Sequence, residues 1–308
     1  MDTSEIIKRV RQVEIKARGL SRNTFAGAYH AAFKGRGMTF SEVREYGFGD
    51  DVRNINWNVT ARFNRPYVKV FEEERELTVM LLVDVSGSRD FGTTAKTKKN
   101  IMNEIAATLA FSAIQNNDKV GVILFSDKIE KFIPPQKGRK HILYIIRELV
   151  GLQPKSRKTD IDMALRYFAN AVKKRCTAFL ISDFIASPQP PPKEGEQAGA
   201  SSFPPFGGLR GALTIASRKH DVVALQVYDR RETELPSVGL LKLKDAETDA
   251  DLWVDSSHKT LRDFYHRHWE DRQADLSDIF KQSRVDNVSV ETSEDYVKAL
   301  IKLFKQRV

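Results

Sequence analysis

Apolar residues recur along this chain with two different periods, and the alternation of these periods predicts its secondary structure. Short unbroken apolar runs, rich in β-branched residues, predict strands that are buried on both faces. Longer stretches with apolar residues every three or four positions predict amphipathic helices. The predicted strands are residues 77–85, 119–125, 128–133, 177–183, 222–227, 252–255 and 288–291. The predicted helices are residues 4–18, 97–116, 141–150, 160–174, 209–219, 258–284 and 294–305.

The order of these elements predicts an α/β fold. Strands alternate with helices from residue 77 onward, which indicates a mostly parallel sheet with helices on both faces. Residues 128–133 follow a strand after only a short turn, so we expect an antiparallel edge strand there. Residues 1–76 are expected to form an N-terminal helix and a small module, and residues 77–308 the sheet domain. Six of the eleven prolines lie within residues 187–208, which predicts a mobile insertion in that domain.

The most informative polar positions follow the first predicted core strand. The run VMLLVDVSGS at residues 79–88 ends in Asp84, Ser86 and Ser88. Ligands of open α/β sheets collect at the carboxyl ends of strands, and three hard oxygen ligands at such a point suit Mg²⁺ or a similar cation. The alternative is an ordinary strand and polar turn, because Asp, Ser and Gly are common turn residues.

Two later segments extend this motif into a familiar order. Thr159 precedes the helix predicted at residues 160–174, and Asp183 ends the strand predicted at residues 177–183. Asp-x-Ser-x-Ser, then Thr before a helix, then Asp at a strand end is the order of a metal-ion-dependent adhesion site. The chain therefore resembles the von Willebrand factor A fold. Residues 35–76 also resemble the signature of one bacterial branch, known as domain of unknown function 58.

The resemblance implies a ligand set and a role. It implies a von Willebrand A-like (Rossmann-like) sheet in which Asp84, Ser86, Ser88, Thr159 and Asp183 hold a divalent cation, with Mg²⁺ expected and Mn²⁺ or Ca²⁺ as alternatives. An acidic side chain of a protein partner would fill the open coordination position. Such proteins are typically encoded beside MoxR-type AAA+ ATPases. The resemblance thus implies a non-enzymatic adaptor that acts with such an ATPase in maturing or remodelling other proteins.

Basic residues adjoin the expected site. Lys155, Arg157 and Lys158 run directly into Thr159, so they are expected to form a rim that steers an acidic partner. Other short basic clusters, including the one at residues 96–99, are interpreted as solvated faces or helix ends. Arg89 stands where many adhesion sites have an apolar residue, a departure that removes no ligand.

The polar signature within residues 35–76 leaves two interpretations open. The aromatic residues that interleave with its charges as core anchors would are Tyr46, Phe48, Trp57 and Tyr67. The favoured interpretation is therefore structural, a buried ion-paired seam between this module and the sheet domain. The alternative is a docking face for the ATPase.

The net charge of +9 raises the alternative of nucleic-acid binding. The excess charge is spread along the chain without a basic arm, and no zinc-finger spacing or aromatic RNA-binding signature accompanies it. Nucleic acid is therefore not the expected partner.

A metal-dependent, phosphatase-like hydrolase is the main alternative function. Haloacid-dehalogenase-type phosphatases also present an aspartate at the end of an apolar strand, but they need a second aspartate two residues later. Ser86 occupies that position here. The surrounding sequence also lacks the first glycine of a Gly-x-Ser-x-Gly nucleophile elbow. We expect no enzymatic activity.

The sequence favours a cytoplasmic location. Cys176 is the single cysteine, which excludes an internal disulfide and fits a reducing compartment. No stretch reaches the roughly 18–20 apolar residues that cross a bilayer. The N-terminal residues have no apolar signal core.

Overall fold

The computed structural model describes residues 28–29, 32, 39–72, 77–93, 97–185, 208–244, 249 and 251–307. The chain divides into two compact units, one of residues 33–77 and one of the remaining residues. Tyr29 belongs to the larger unit, where its ring packs edge-on against Phe304 at 6.0 Å. This grouping differs from the predicted module of residues 1–76. The predicted helix at residues 4–18 and the predicted insertion at residues 187–208, except Gly208, lie outside the described residues.

The smaller unit is built on an antiparallel hairpin of strands β1 (Thr39–Glu45) and β2 (Tyr67–Glu72). Between them lie a 3₁₀ turn (Val52–Asn54) and helix α1 (Trp57–Phe63), which the sequence patterns did not predict. Helix α1 ends at Asn64, whose left-handed backbone (φ 57°) stops it.

The side chains of this unit correct one prediction. Phe48 and Trp57 are exposed, so the interpretation as core anchors is wrong for these two, whereas Tyr46 and Tyr67 are half-buried. The signature does contain an ion pair, between Arg44 and Asp50, and its two hydrogen bonds measure 2.7 and 2.8 Å.

The larger unit contains a six-stranded sheet in the order β10-β7-β6-β3-β4-β5. Its strands are β3 (Thr78–Asp84), β4 (Lys119–Phe125), β5 (Ile129–Gln136), β6 (Thr177–Ser182), β7 (Asp221–Tyr228) and β10 (Asp286–Glu291). All neighbours pair in parallel except β4 and β5, which pair antiparallel. This is the doubly wound strand order in which the crevice opens beside the first core strand, here β3. The predicted fold class, a mostly parallel α/β sheet with one antiparallel edge strand, is confirmed.

Helices cover both faces of this sheet. They are α2 (Lys98–Gln115), α3 (Arg139–Gly151), α4 (Ile161–Ala171), α5 (Leu209–Lys219), the short α6 (Arg230–Thr233), α7 (Lys259–Ser283) and α8 (Tyr296–Gln306). Helices α4, α5 and α7 share one hydrophobic core with β3, β4, β6 and β7. Helices α2 and α3 pack on each other, and α8 reaches the sheet through Phe304, whose ring lies 6.5 Å from that of Phe179.

The central strands are buried on both faces, as their unbroken apolar runs predict. Residues 79–83 of β3 have no exposed surface, and Cys176, just before β6, is buried. Because β3 and β6 are parallel neighbours, the polar residues that follow them meet at one edge of the sheet.

A separate two-stranded sheet precedes α7. It pairs β8 (Leu240–Lys244) with β9 (Asp251–Asp255) in antiparallel register. The sequence predicted β9 but not β8, and it did not predict that this pair would form a sheet of its own. Among the described residues, no helix is both long and apolar enough to cross a membrane.

Candidate cation site

The site begins at the turn that follows β3. Asp84 is the last residue of β3, and its Oδ1 accepts the backbone N–H of Ser86 at 2.9 Å. The hydroxyls of Ser86 and Ser88 lie 3.0 Å apart. All three side chains are buried. The turn therefore brings together the three oxygen-bearing side chains that the sequence singled out.

Asp183 reaches the same edge from the neighbouring strand. The residue before it, Ser182, donates its hydroxyl to Asp84 Oδ2 at 2.7 Å and accepts the backbone N–H of Phe184 at 3.0 Å. Phe184 has a left-handed backbone (φ 54°), which is unfavourable for a bulky residue and marks a tightly turned strand end. Asp183 is buried. Both carboxylates thus belong to one hydrogen-bonded strand edge.

Thr159 lies on the loop between α3 and α4, and that loop is tied to the serine turn. The backbone N–H of Gly87 donates to the carbonyl of Arg157 at 2.9 Å. Asp160 caps α4, because its Oδ1 accepts the N–H of Met163 at 2.9 Å. Capping fixes the position of Asp160 and places the half-buried Thr159 directly before the helix. Convergence of the Thr159 hydroxyl with the other four side chains stays a prediction.

The negative charges of Asp84 and Asp183 repel each other. Burial and the charge of Asp183 raise the pKa of Asp84 to about 6, against hydrogen bonds from Ser182 and Ser86 that act in the opposite direction. A buried carboxylate pair with this perturbation favours a positive charge close by.

One such positive charge is Lys98, the first residue of α2. Its side chain is fully buried, and Nζ lies 2.7 Å from Asp183 Oδ2 and 2.5 Å from Glu232 Oε1. Burial alone would lower the pKa of Lys98, but the charges of Asp183 and Glu232 raise it above its usual value. Lys98 is therefore a buried partner of the site. It lies at a helix end, as one of the two interpretations of its cluster had it, but its side chain is buried and does not form a solvated face.

Sequence reasoning missed Lys98 and Glu232 because nothing local distinguishes them. Lys98 is followed by Lys99, and only Lys98 turns inward. Glu232 lies 134 positions away along the chain. The single usable signal was the position of Lys98 at the start of the helix that follows the Asp-x-Ser-x-Ser turn.

Two arginines add positive charge around the carboxylates. Arg272 of α7 donates to the carbonyl of Phe184 at 3.4 Å. Burial lowers its pKa, while the charges of Asp183 and Glu232 act against that. Arg89 is almost completely buried and donates to the carbonyl of Leu152 at 3.3 Å.

The donor set matches a hard cation in chemistry. Asp84 Oδ1 accepts the Ser86 N–H and Oδ2 accepts the Ser182 hydroxyl, and each oxygen has a second lone pair to offer. The remaining expected donors are hydroxyls, and hydroxyl and carboxylate oxygens suit Mg²⁺, Mn²⁺ or Ca²⁺. In the described part of the chain, no group of three or more His, Cys, Asp or Glu side chains forms a metal cluster. A cation held here would therefore depend on the serine and threonine hydroxyls.

The predicted rim residues Lys155, Arg157 and Lys158 are exposed. Arg157 is already paired, since its Nη1 lies 2.7 Å from Asp249 Oδ1. Lys244 approaches the same oxygen at 3.0 Å. These pairs are solvent-exposed and therefore weak, so a partner carboxylate can replace Asp249 at low cost.

Comparisons with known proteins agree with the resemblance found in the sequence. The family model described as "Protein of unknown function DUF58" matches residues 42–275. The uncharacterized protein Rv1480 of Mycobacterium tuberculosis is 27% identical over 309 residues, which cover 100% of this chain and 91% of that protein. The uncharacterized protein MAV169 of Mycobacterium avium is 24% identical over 179 residues, which cover 57% of this chain and 93% of that protein.

Solved structures with a similar fold include von Willebrand A domains. The conserved hypothetical protein BatB from Bacteroides thetaiotaomicron aligns with a TM-score of 0.45 and 15% identity, over 75% of this chain and 98% of that one. The SpRpn10 VWA domain aligns with a TM-score of 0.40 and 11% identity, over 75% of this chain and 95% of that one.

Proposed function

This chain belongs to the family described as protein of unknown function DUF58, and we propose that it is a non-enzymatic adaptor that binds another protein through a divalent cation. The observation that carries the proposal is the buried oxygen cluster at the strand edge. Asp84, Ser86 and Ser88 lie in one hydrogen-bonded turn, and Ser182 joins that turn to the strand end that presents Asp183.

The chemistry of this donor set suits recognition of a partner. Asp84, Asp183 and the hydroxyls of Ser86, Ser88 and Thr159 would hold the cation, with Mg²⁺ as the expected ion. A site with few carboxylates leaves its cation electrophilic, so that an acidic side chain from another protein completes the coordination. The exposed Lys155, Arg157 and Lys158 would steer that side chain toward the site.

A binding role is favoured over hydrolysis by the surroundings of Ser86. Ser86 stands where a phosphatase of the haloacid-dehalogenase type needs its second aspartate, and its hydroxyl pairs with that of Ser88. Asp84 is held by two donors, the Ser86 N–H and the Ser182 hydroxyl, which fix its orientation. These features suit a rigid ligand better than a nucleophile.

The proposed partner is a MoxR-type AAA+ ATPase or one of its client proteins, with the adaptor presenting the client for maturation or remodelling. The support for this step is the family resemblance of the signature in residues 35–76 together with the metal motif. The proposed compartment is the cytoplasm, because the single cysteine, Cys176, is buried and unpaired with another cysteine.

A cation-dependent binding experiment tests the proposal. The native protein should bind Mg²⁺ or Mn²⁺ in titration calorimetry. In a pull-down it should retain the MoxR-type ATPase encoded in the same genome, or a client protein, when Mg²⁺ is present but not when a chelator is present. Asp84→Ala should lose both properties. Asp278→Ala, an exposed carboxylate on α7, is the matched control and should keep both. Equal retention by native protein and Asp84→Ala would overturn the proposal, and phosphatase activity lost in Asp84→Ala would establish the hydrolase instead.

A further inference from the structure

The buried ammonium of Lys98 lies against a carboxylate that the expected cation site would use. Its Nζ lies 2.7 Å from Asp183 Oδ2, one of the carboxylate oxygens expected to serve the divalent cation. We propose that Lys98 is an internal counter-ion that competes with the divalent cation for Asp183 and so sets the affinity of the site. This inference rests on the cation site of the proposed function.

Lys98 is held in place by the fold and is not a surface side chain that happens to point inward. Its side chain has no exposed surface, and its backbone N–H donates to the carbonyl of Phe91 at 3.0 Å. The aliphatic stem leads the ammonium to two carboxylates at once. A buried lysine is retained in its charged form only when it is paired in this way.

Glu232 gives the ammonium a second partner that is itself firmly positioned. Glu232 Oε2 accepts the backbone N–H of Asp229 at 2.9 Å, which completes a capping box at the start of α6. Asp229 is anchored in turn by the hydroxyls of Thr93 and Thr292, at 2.7 and 2.9 Å. The position of Glu232 therefore does not depend on Lys98.

This arrangement allows an exchange that leaves no buried charge unpaired. Lys98 Nζ contacts both Asp183 and Glu232, so it can release Asp183 and keep Glu232. Asp183 keeps the Ile185 N–H at 3.1 Å on its other oxygen and becomes available as a ligand. Without Glu232, releasing Asp183 would strand a buried ammonium, at a cost that opposes cation binding.

The charge of Lys98 also predicts the direction of its effect. An ammonium beside Asp183 repels a divalent cation that shares this carboxylate, in a buried setting where screening by salt is weak. Removing the charge should therefore tighten cation binding. Removing Glu232 should loosen it, because Lys98 then has only Asp183 as a partner.

The test measures Mn²⁺ and Mg²⁺ affinity of the full chain by titration calorimetry, with circular dichroism to verify folding. Lys98→Met, which keeps the length of the stem, should bind about tenfold tighter or more than the native protein. Glu232→Gln should bind severalfold more weakly. Lys99→Met removes the same charge one residue later, from a partly exposed side chain, and should change affinity less than about twofold.

Lys98→Met leaves the carboxylates of Asp183 and Glu232 without the ammonium that pairs with them, and this variant can therefore fail to fold. A second variant keeps the test decisive in that case. The double variant Lys98→Met/Glu232→Gln removes one carboxylate together with the ammonium. It should bind the cation more tightly than Glu232→Gln alone, and this comparison decides the matter if Lys98→Met does not fold.

The outcomes separate this inference from the proposed function. Cation binding that is abolished by Asp84→Ala but unchanged or weakened by Lys98→Met would overturn the role of Lys98 and leave the cation site standing. Absence of Mn²⁺ and Mg²⁺ binding in native protein, Lys98→Met and the double variant would overturn both, and Lys98 would then be a permanent replacement for the cation. If Lys99→Met tightened cation binding as much as Lys98→Met, the gain in affinity would come from the lower net charge of the protein, and the inference would be overturned.

Discussion

Ser182 donates its hydroxyl to Asp84 across two neighbouring strands, at a distance of 2.7 Å, although the two residues are 98 positions apart in the chain. The same hydroxyl accepts the N–H of Phe184, and Asp84 accepts the N–H of Ser86 on its other oxygen. The Ser182 hydroxyl therefore links the ends of β3 and β6 and fixes one oxygen of Asp84, while the Ser86 N–H fixes the other. The orientation of Asp84 depends on a residue outside the Asp-x-Ser-x-Ser motif.

This relationship predicts a stability loss for Ser182→Ala. The change leaves Asp84 Oδ2 and the Phe184 N–H without their partner in a buried site, so the free energy of unfolding should fall by about 1–3 kcal/mol. Urea denaturation measures it. Ser257→Ala removes a comparable hydroxyl-to-aspartate bond, to Asp255 at 2.6 Å, in an exposed turn, and should cost less than about 0.5 kcal/mol. If both variants lost the same free energy of unfolding, the buried Ser182–Asp84 bond would stabilise the protein no more than an exposed one.

The Ser182–Asp84 bond also illustrates what the sequence could and could not predict. Asp84, Ser86 and Ser88 were predictable because they are local to one strand end, and the bounds of β4 and α5 were predicted to the residue because both are strongly patterned. Lys98 could not be predicted, since its burial depends on Asp183 and Glu232, which approach it only after folding. Strand β8 was missed because Lys242 and Lys244 interrupt its short apolar pattern.

Mg²⁺ should stabilise the native protein against heat, and Asp84→Ala should abolish this stabilisation. A ligand that binds the folded state alone stabilises it by RT ln(1 + [L]/Kd), so the unfolding temperature rises with the ligand concentration. Without a cation, Asp84→Ala should change the unfolding temperature little. It relieves a buried carboxylate whose pKa burial and Asp183 raise to about 6, and this gain offsets the loss of the hydrogen bonds from Ser182 and Ser86. Differential scanning calorimetry in Mg²⁺ and in chelator measures both effects. An equal Mg²⁺ shift in the variant would place the ion elsewhere.

The pH dependence of stability should carry a contribution from His220. Its ring packs on Phe168 with a centroid separation of 4.4 Å, and burial lowers its pKa to about 4, with Lys219 and Arg175 acting in the same direction. An unfolded histidine titrates near about 6.5. Between these values the unfolded chain binds a proton that the folded chain does not, so stability is constant above pH of about 6.5 and falls as the pH drops toward about 4.

His220→Gln removes this contribution and provides its measurement. The stability advantage of the native protein over His220→Gln should shrink, on the order of 1–3 kcal/mol, between pH of about 7.5 and about 4.5. Urea denaturation at the two pH values gives this difference. His258→Gln changes an exposed histidine and should leave the difference constant. Parallel pH profiles for native protein and His220→Gln would contradict the assignment.

Gly121 should be intolerant of a side chain. It lies in β4 where the register with β5 shifts, and an added Cβ would lie 2.7 Å from Met80 Sδ and 2.9 Å from the carbonyl oxygen of Ile133. Gly121→Ala should lower the free energy of unfolding by about 1–3 kcal/mol, since backbone cannot give way cheaply. Gly211→Ala, on the exposed side of α5 with no atom near the new Cβ, should instead stabilise by about 0.5–1 kcal/mol. Denaturation curves that moved in the same direction for both would contradict the packing argument.

The basic rim should govern how quickly an acidic partner arrives. Lys158 is exposed, and Arg157 pairs with Asp249 in an exposed bridge. Arg157→Glu/Lys158→Glu should therefore slow association with the partner retained in Mg²⁺, and more so at low salt, while the affinity for the cation itself changes little. Surface plasmon resonance against that partner measures the association rate.

The control for this prediction is Lys173→Glu/Lys174→Glu. It makes the same change in charge just beyond the far end of α4, a helix that is roughly 17 Å long at 1.5 Å per residue. This control should slow association much less. If both reversals slowed it equally, the effect would belong to the net charge of the protein, and the localised interface around Asp84 and Thr159 would be refuted.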